Sequence, residues 1–194
     1  MSKSDSSASK SARRKYSRWV LTIFLVTIFI SGGISALSDI IMESTNVIVA
    51  FVILLVIILV GVAFDVVGMA VASADEKPFH SMAARKVPGS MEAIALLHNA
   101  ERVSSICNDV IGDICGVVSG GASATIALQI IQNFDFSWPQ IVSLLMSALA
   151  AGLTVGGKAV GKSFAVNSST EIVHSVGKII AKFRAFTGIF RKKQ

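Results

Sequence analysis

The sequence predicts an all-α integral membrane helical bundle, with four transmembrane helices and cytoplasmic amphipathic helices beside the membrane. Hydrophobic residues make up 53% of the chain and charged residues 15%, which is too apolar for an ordinary soluble domain. Four long apolar stretches occur, and an α-helix needs about 20 such residues to cross a bilayer. The alternative is buried helices of a soluble protein, but 194 residues could not cover four of them with polar layers.

All Lys and Arg residues can be placed on the same side of a membrane. They precede the first apolar stretch, lie between the second and third, or follow the fourth, and residues 38–46 and 132–138 contain none. Because cytoplasmic loops carry excess Lys and Arg, this asymmetry predicts a multi-pass protein of the cell membrane with both termini in the cytoplasm. The net charge of +6 then reflects topology, so we expect the lipid bilayer as a partner and not nucleic acid.

The N-terminal residues 1–18 are rich in Ser, Lys and Arg, a composition that predicts a disordered basic cytoplasmic segment. The first, additional span is predicted over residues 19–41. A signal peptide is an alternative, but the apolar run exceeds its usual core of roughly 7–15 residues, and Ile34-Ser35-Ala36 is a weak cleavage site. A transit peptide is another, because the start is rich in Ser and Arg and poor in acids.

The second span is predicted over residues 46–72 and carries Asp65 in its inner half. A cytoplasmic helix pair follows over residues 74–104. Pro88-Gly89-Ser90 divides this pair, and the serine is the predicted N-cap of the second helix. Apolar and charged residues alternate at helical spacing over residues 91–103, which predicts an amphipathic surface helix.

The third span is predicted over residues 105–131 and the fourth over residues 139–157. Ser137-Trp138-Pro139 is interpreted as an N-cap, an interface aromatic and a helix-starting proline. Small residues recur every four positions in both spans, which predicts close packing of spans three and four or a homodimer. They are Gly112, Gly116, Gly120, Ala148, Gly152 and Gly156.

Residues 168–190 combine an apolar face with a face carrying Lys178 and Lys182. A basic amphipathic helix of this kind lies in the membrane surface. It can equally pack on the rest of the protein, and the two alternatives are compatible.

The remaining polar chemistry argues against an enzyme. Cys107 and Cys115 lack the spacing and the number of ligands of a zinc site, so we predict that both are reduced packing residues. The three histidines are expected to be isolated surface or interface residues. No nucleophile and base stand at a recognisable spacing.

Three acids, Asp65, Asp109 and Asp113, fall in the cytoplasmic halves of the predicted spans, where a carboxylate costs at least a few kcal/mol and marks a functional site by default. Asp109 and Asp113 are four residues apart and so share a helix face, which Ser105 extends and Asn108 borders. Together with Asp65 these oxygen donors suit a hard cation such as Mg²⁺. The alternative is that the acids cap helices near the cytoplasmic interface, or pair with Arg102 or Lys158.

Several segments between residues 47 and 190 resemble the transmembrane domain of the CorB/CorC/cyclin M (CNNM) family of magnesium and cobalt transport proteins. They are the end of the second span, Ala63-Phe64-Asp65-Val66-Val67-Gly68-Met69-Ala70-Val71-Ala72-Ser73, the turn Asn99-Ala100-Glu101-Arg102, the segment Ile106-Cys107-Asn108-Asp109-Val110-Ile111-Gly112, and Gly157-Lys158-Ala159-Val160-Gly161-Lys162. The resemblance implies a three-span core over residues 46–190 that transports or binds a divalent cation, with a belt helix over residues 168–190 along the membrane.

The chain departs from the family pattern at the positions that would hold the ion. Gly68 and Thr154 stand where the family has glutamates, Gly157 stands where it has proline, and Asp109 replaces one asparagine of a pair. The cytoplasmic CBS domains of the family have no counterpart in this sequence. Two functions therefore remain open, namely divalent cation transport or binding, and a non-transporting membrane scaffold or regulatory subunit that has lost the ion site.

Overall fold

The computed structural model describes residues 21–22, 24–38, 40–42, 45–133 and 138–191, with side chains as far as residue 186. These residues form helices and no strand, which confirms the predicted all-α bundle. Residues 1–18 and Ser137 lie outside the described residues, so the predictions for them are untouched. The elements are α1 (Phe24–Met42), α2 (Val47–Ser73), α3 (Lys77–Ala84), α4 (Ser90–Leu97), α5 (Ala100–Ser105), a π-helical segment (Ile106–Gly112), α6 (Asp113–Asn133), α7 (Pro139–Asn167) and α8 (Ser169–Arg191).

Four helices are long and apolar enough to cross a membrane, as the sequence predicts. They are α1, α2, the continuous helix Ala100–Asn133 that joins α5 to α6 through the π-helical segment, and α7. Two of them are longer than predicted, since the third begins at Ala100 and the fourth continues to Asn167. The fourth continues because Lys158 and Lys162 lower its hydropathy without disfavouring helix.

The centre of the bundle is α2, which packs against α6, α7 and the π-helical segment. Near the start of α2, a core forms around Leu54, Ile126 and Met42 at the end of α1. The amide Nε2 of Gln129 donates a 2.6 Å hydrogen bond to the carbonyl oxygen of Met42 there. The most apolar part of α1 is otherwise without buried residues, so α1 lies at the periphery.

A second core closes the opposite end of the bundle, where α2 and α7 finish. Phe79 of α3, Ala93 and Leu97 of α4 and Val173 of α8 pack there against Val71. The short helices and α8 therefore lie at one end of the bundle, together with the Lys and Arg residues that they carry.

Two glycines allow α8 to dock on the start of α4. Gly89 has a φ of 86°, and an added Cβ would lie 2.6 Å from the backbone nitrogen of Lys178. Across the contact, an added Cβ at Gly177 would collide with the carbonyl oxygen of Gly89. The prediction that Ser90 caps α4 is wrong. Gly89 is the N-cap, because its left-handed backbone suits glycine, and the Ser90 hydroxyl donates to the Val87 carbonyl oxygen at 2.7 Å.

The predicted surface helix over residues 91–103 is two helices. It breaks at His98 and Asn99, where the Asn99 side-chain amide donates a 3.0 Å hydrogen bond to the Ala95 carbonyl oxygen. The second helix, α5, is the beginning of the third candidate span.

Apart from Gly112, the glycines of the small-residue rows do not make close contacts within the chain. A methyl group at Gly116, Gly120, Gly152 or Gly156 would meet no atom within 4 Å. The tight approaches use other glycines instead, such as Gly161, where an added Cβ would lie 2.7 Å from Val66 of α2. A homodimer formed through these four open glycines stays a prediction.

Candidate functional site

One face of α2 approaches the third candidate span closely because two of its residues lack side chains. Gly61, Asp65 and Gly68 share this face at helical spacing. An added Cβ at Gly61 would lie 2.8 Å from Cβ of Cys115. The carboxyl group of Asp65 is consequently buried between the helices, with 4% of the residue exposed.

A lysine from α7 completes a charged triad with this carboxylate. Lys158 Nζ lies 3.8 Å from Asp65 Oδ1 and 3.8 Å from Asp113 Oδ1. Asp113 is at the start of α6, so three candidate spans meet in the triad. Its formal charge is −1 when all three groups are ionised, because two carboxylates face one ammonium. The alternative pairing with Lys158 that the sequence suggests is thus observed for Asp113.

The triad lies beside the π-helical segment, a geometry that is rare and frequent at functional sites. An added Cβ at Gly112 would lie 3.3 Å from Lys158 Nζ, 3.4 Å from the Cys107 carbonyl oxygen and 3.7 Å from Asp65 Oδ1. The missing side chain of Gly112 therefore leaves the space into which the ammonium and the carboxylate point.

Asn108, also in the π-helical segment, fills the gap left by Gly68. An added Cβ at Gly68 would collide with Oδ1 of Asn108 and lie 2.9 Å from Cβ of Cys107. The Asn108 amide donates a 3.3 Å hydrogen bond to the hydroxyl of Ser104. Among the residues that the structure describes, three side-chain oxygens are buried and accept no hydrogen bond. They are Asn108 Oδ1 and Asp65 Oδ2 here, and Gln129 Oε1 in the core near the start of α2. An unpaired buried acceptor costs about 1–3 kcal/mol, so the oxygens of Asn108 and Asp65 mark the site.

Asp109 is paired with Ser105, whereas Lys158 is paired with Asp65 and Asp113. The Ser105 hydroxyl donates a 2.8 Å hydrogen bond to Asp109 Oδ2. Both residues line an open groove of about 490 Å³ with Ala72, Ala100, Glu101 and Ser104.

Of the five predicted cation ligands, the structure groups Asp65 and Asp113 on Lys158 and places Asn108 against Gly68, one turn along α2 from Asp65. Asp109 and Ser105 line the groove. Within the described part of the chain, no three His, Cys, Asp or Glu side chains are close enough together to hold a metal ion. Sequence reasoning missed the part that Ser104 plays, and it missed that Gly68 and Gly112 leave space for the Asn108 and Lys158 side chains. Local sequence does not reveal which helix lies against a glycine.

The cysteines and histidines take no part in this cluster. Cys107 and Cys115 are free thiols packed between helices, as predicted. The histidines are surface or interface residues, as predicted, but they are not isolated from neighbouring groups. His80 and His98 each place Nε2 3.7 Å from the same Glu76 oxygen, and His174 Nε2 lies 3.3 Å from the Pro88 carbonyl oxygen. They bind neighbours in the α3–α4 region because these helices fold back on one another.

The fold and site define a helical bundle with four candidate membrane spans and a buried carboxylate at its centre. Comparisons of the chain with family models, with curated proteins and with solved structures found no significant match.

Proposed function

We propose that this chain is a multi-pass protein of the cell membrane, with both termini in the cytoplasm, that binds and moves a divalent cation, Mg²⁺ foremost. The observation that carries the proposal is the Asp65 carboxylate, which is buried between candidate spans with one oxygen unpaired. Intramembrane carboxylates are costly, and they typically mark ion pathways. We propose no enzymatic activity.

The local donor set supports a hard cation. Asp65 Oδ2 and Asn108 Oδ1 are both unpaired acceptors, and the net charge of the triad is negative. Mg²⁺ is held by one or two carboxylates and keeps several waters, so it does not need a cage of six protein ligands. A bound Mg²⁺ would be held by these two oxygens, and Asp113 would add negative charge from the exposed side.

The resemblance to the CorB/CorC/cyclin M family supports divalent cation binding, although different residues would hold the cation in this chain. At Gly68, where the family has a glutamate, the amide oxygen of Asn108 occupies the space next to the backbone. At Thr154, the other lost glutamate, the hydroxyl donates a 2.8 Å hydrogen bond to the Ala150 carbonyl oxygen of its own helix. The site that we propose is therefore built on Asp65 and Asn108.

The groove beside the π-helical segment is a suitable approach for a cation from the end of the bundle that carries α3 to α5. Glu101 and Asp109 line it together with the hydroxyls of Ser104 and Ser105. Asn108 joins the groove to the buried site through its hydrogen bond to Ser104. Carboxylates in a cleft raise the local concentration of cations.

Titration calorimetry of the purified protein with Mg²⁺, combined with Mg²⁺ flux into proteoliposomes, tests the proposal. Asp65→Asn keeps the shape of the side chain and removes its charge, so we expect binding to weaken at least tenfold and flux to stop. Glu171→Gln is the matched control, because this acid is exposed in the first turn of α8. Wild-type protein that neither binds nor moves Mg²⁺ would refute the proposal.

A second candidate function is a membrane scaffold or regulatory subunit, and Lys158 favours it. The ammonium of Lys158 already neutralises the negative charge of Asp65, so the buried carboxylate does not need a metal ion as its counter-charge. A scaffold would tolerate Asp65→Asn/Lys158→Met without loss of its partner complex in a pull-down, and it would bind no Mg²⁺.

The open glycine rows of α6 and α7 support a homodimer in the membrane. Gly116, Gly120, Gly152 and Gly156 offer faces on which another helix backbone could approach closely. Replacing Gly152 with Leu would then convert dimer to monomer in detergent, as measured by light scattering with correction for bound detergent. An unchanged mass would exclude this face.

A further inference from the structure

Lys158 holds its ammonium at the place where a mobile cation would bind the carboxylate. Nζ lies 3.8 Å from one oxygen of each of two acids, Asp65 and Asp113. Charged hydrogen bonds between nitrogen and oxygen are shorter, at roughly 2.7–2.9 Å. The ammonium is therefore held by charge attraction without a directed hydrogen bond at either acid.

The structure around Lys158 provides room for its head group to move. Gly112 leaves open the space in front of Nζ. The lysine side chain is 21% exposed, so it reaches the surface of the bundle as well as the buried carboxylate. Lysine carries a compact charge on a flexible four-carbon stem, which allows its head group to leave one position for another.

The charges make occupancy by the ammonium and by a divalent cation mutually exclusive. One carboxylate, Asp65, is buried at the centre, and a Mg²⁺ bound to it would face the ammonium at short range across Gly112. Like charges at this separation repel, most strongly where water is excluded. With the site loaded, the favourable position for the ammonium is away from Asp65, toward the exposed carboxylate of Asp113 or the bundle surface.

We infer that Lys158 is a tethered internal cation, which neutralises Asp65 when no metal is bound and is displaced when a divalent cation binds. The inference rests on the proposed function and adds its regulation. Lys158 sets the affinity of the site, and it prevents the two carboxylates from facing each other uncompensated between one ion and the next.

Amine modification of the wild-type protein tests the displacement directly. A membrane-permeant acetylating reagent is applied with and without Mg²⁺, and the modified fraction of each lysine is measured by mass spectrometry. We expect Mg²⁺ to raise modification of Lys158 at least threefold. Lys162 is the internal control, since it lies one turn further along α7 and is exposed, and its modification should not change.

The second measurement compares Mg²⁺ affinity in two charge-removing variants. Lys158→Met should bind Mg²⁺ at least tenfold more tightly than wild type, whereas Lys162→Met should change affinity less than twofold. Lys158→Arg should bind Mg²⁺ more weakly, because a guanidinium can hold a carboxylate with two hydrogen bonds.

The two proposals fail in different ways. If wild type binds Mg²⁺ but modification of Lys158 does not respond, or if both methionine variants shift affinity equally, the tethered cation is overturned and the cation site stands. If neither wild type nor Lys158→Met binds Mg²⁺, the proposed function falls and this inference falls with it.

Discussion

At the scale of single residues, the least expected feature is the buried carboxylate of Asp65 and its pairing with Lys158. Asp65 lies within the most apolar helix of the protein and finds its counter-charge on α7, far away in sequence. Removing one member of a buried ion pair is strongly destabilising because it leaves the other uncompensated, whereas removing both is much less so. This asymmetry gives the pair a measurable signature.

We predict that Asp65→Asn and Lys158→Met each lower the free energy of unfolding in detergent by about 1–3 kcal/mol. The loss is smaller than the 3–5 kcal/mol typical of fully buried pairs, since Lys158 is one-fifth exposed. The double variant should lose less than the sum of the two single losses, with a coupling of about 1 kcal/mol or more. Strictly additive losses would show that the two groups do not interact.

The same pair shows what a sequence can reveal about a site. Asp65 is visible as a candidate because it interrupts an apolar run, and Lys158 is visible as one possible partner. Their meeting depends on which faces of α2 and α7 turn inward, and glycines at 61, 112 and 161 decide that through contacts between distant segments. The spacing of residues along the sequence does not predict contacts between such distant segments.

At the scale of elements, the π-helical segment is the part of the fold with no counterpart in the sequence pattern. Its residues, Ile106–Gly112, would continue an α-helix equally well by composition. Packing selects the wider turn, because Asn108 must reach the bare backbone at Gly68 while Cys115 meets Gly61. Tertiary contact thus overrides local preference here.

We predict that Gly68→Ala destabilises the protein by about 1–3 kcal/mol, although alanine favours helix, because the methyl group would collide with Asn108 and Cys107. Gly33→Ala in α1 is the control, since its methyl group would meet nothing within 4 Å and its helix should gain up to about 1 kcal/mol. Thermal unfolding in detergent measures both. Equal effects of the two substitutions would contradict the assigned packing.

The contact between α4 and α8 makes a second prediction for elements. Gly177→Val would force α8 away from Gly89 and Ala93, so backbone amides of both helices should exchange with deuterium faster. Ser175→Val is the control, because this position is exposed on the same helix. Unchanged exchange in Gly177→Val would mean that the helices remain docked.

At the scale of the whole molecule, composition alone predicts most of the architecture. Four apolar runs become four candidate spans, and the basic segments between them gather at one end of the bundle. The bounds of the third and fourth spans were underestimated, since hydropathy ends where Arg102 or Lys158 begins to contribute while the helix does not. Apolar length thus predicts that a span exists, and side-chain packing determines where its helix stops.

We predict opposite membrane sides for the two ends of the bundle. In a background with both cysteines replaced by alanine, Thr45→Cys should react with a membrane-impermeant thiol reagent on intact cells. Lys86→Cys should react only after the membrane is permeabilised, because basic loops stay in the cytoplasm. The reverse pattern of labelling would invert the proposed topology.

The docking of Gly177 on Gly89 has a consequence for the order in which the protein can be made. The chain emerges from its N-terminus, so the α3–α4 region is synthesised long before the helix that covers it. Until residue 177 has appeared and the two later spans have been inserted, Ala93 and Leu97 lack part of their final core. Contacts so distant in sequence form late and leave apolar surface uncovered meanwhile. Truncation within α8 should therefore expose the α3–α4 region to proteolysis, even though every candidate span has been completed.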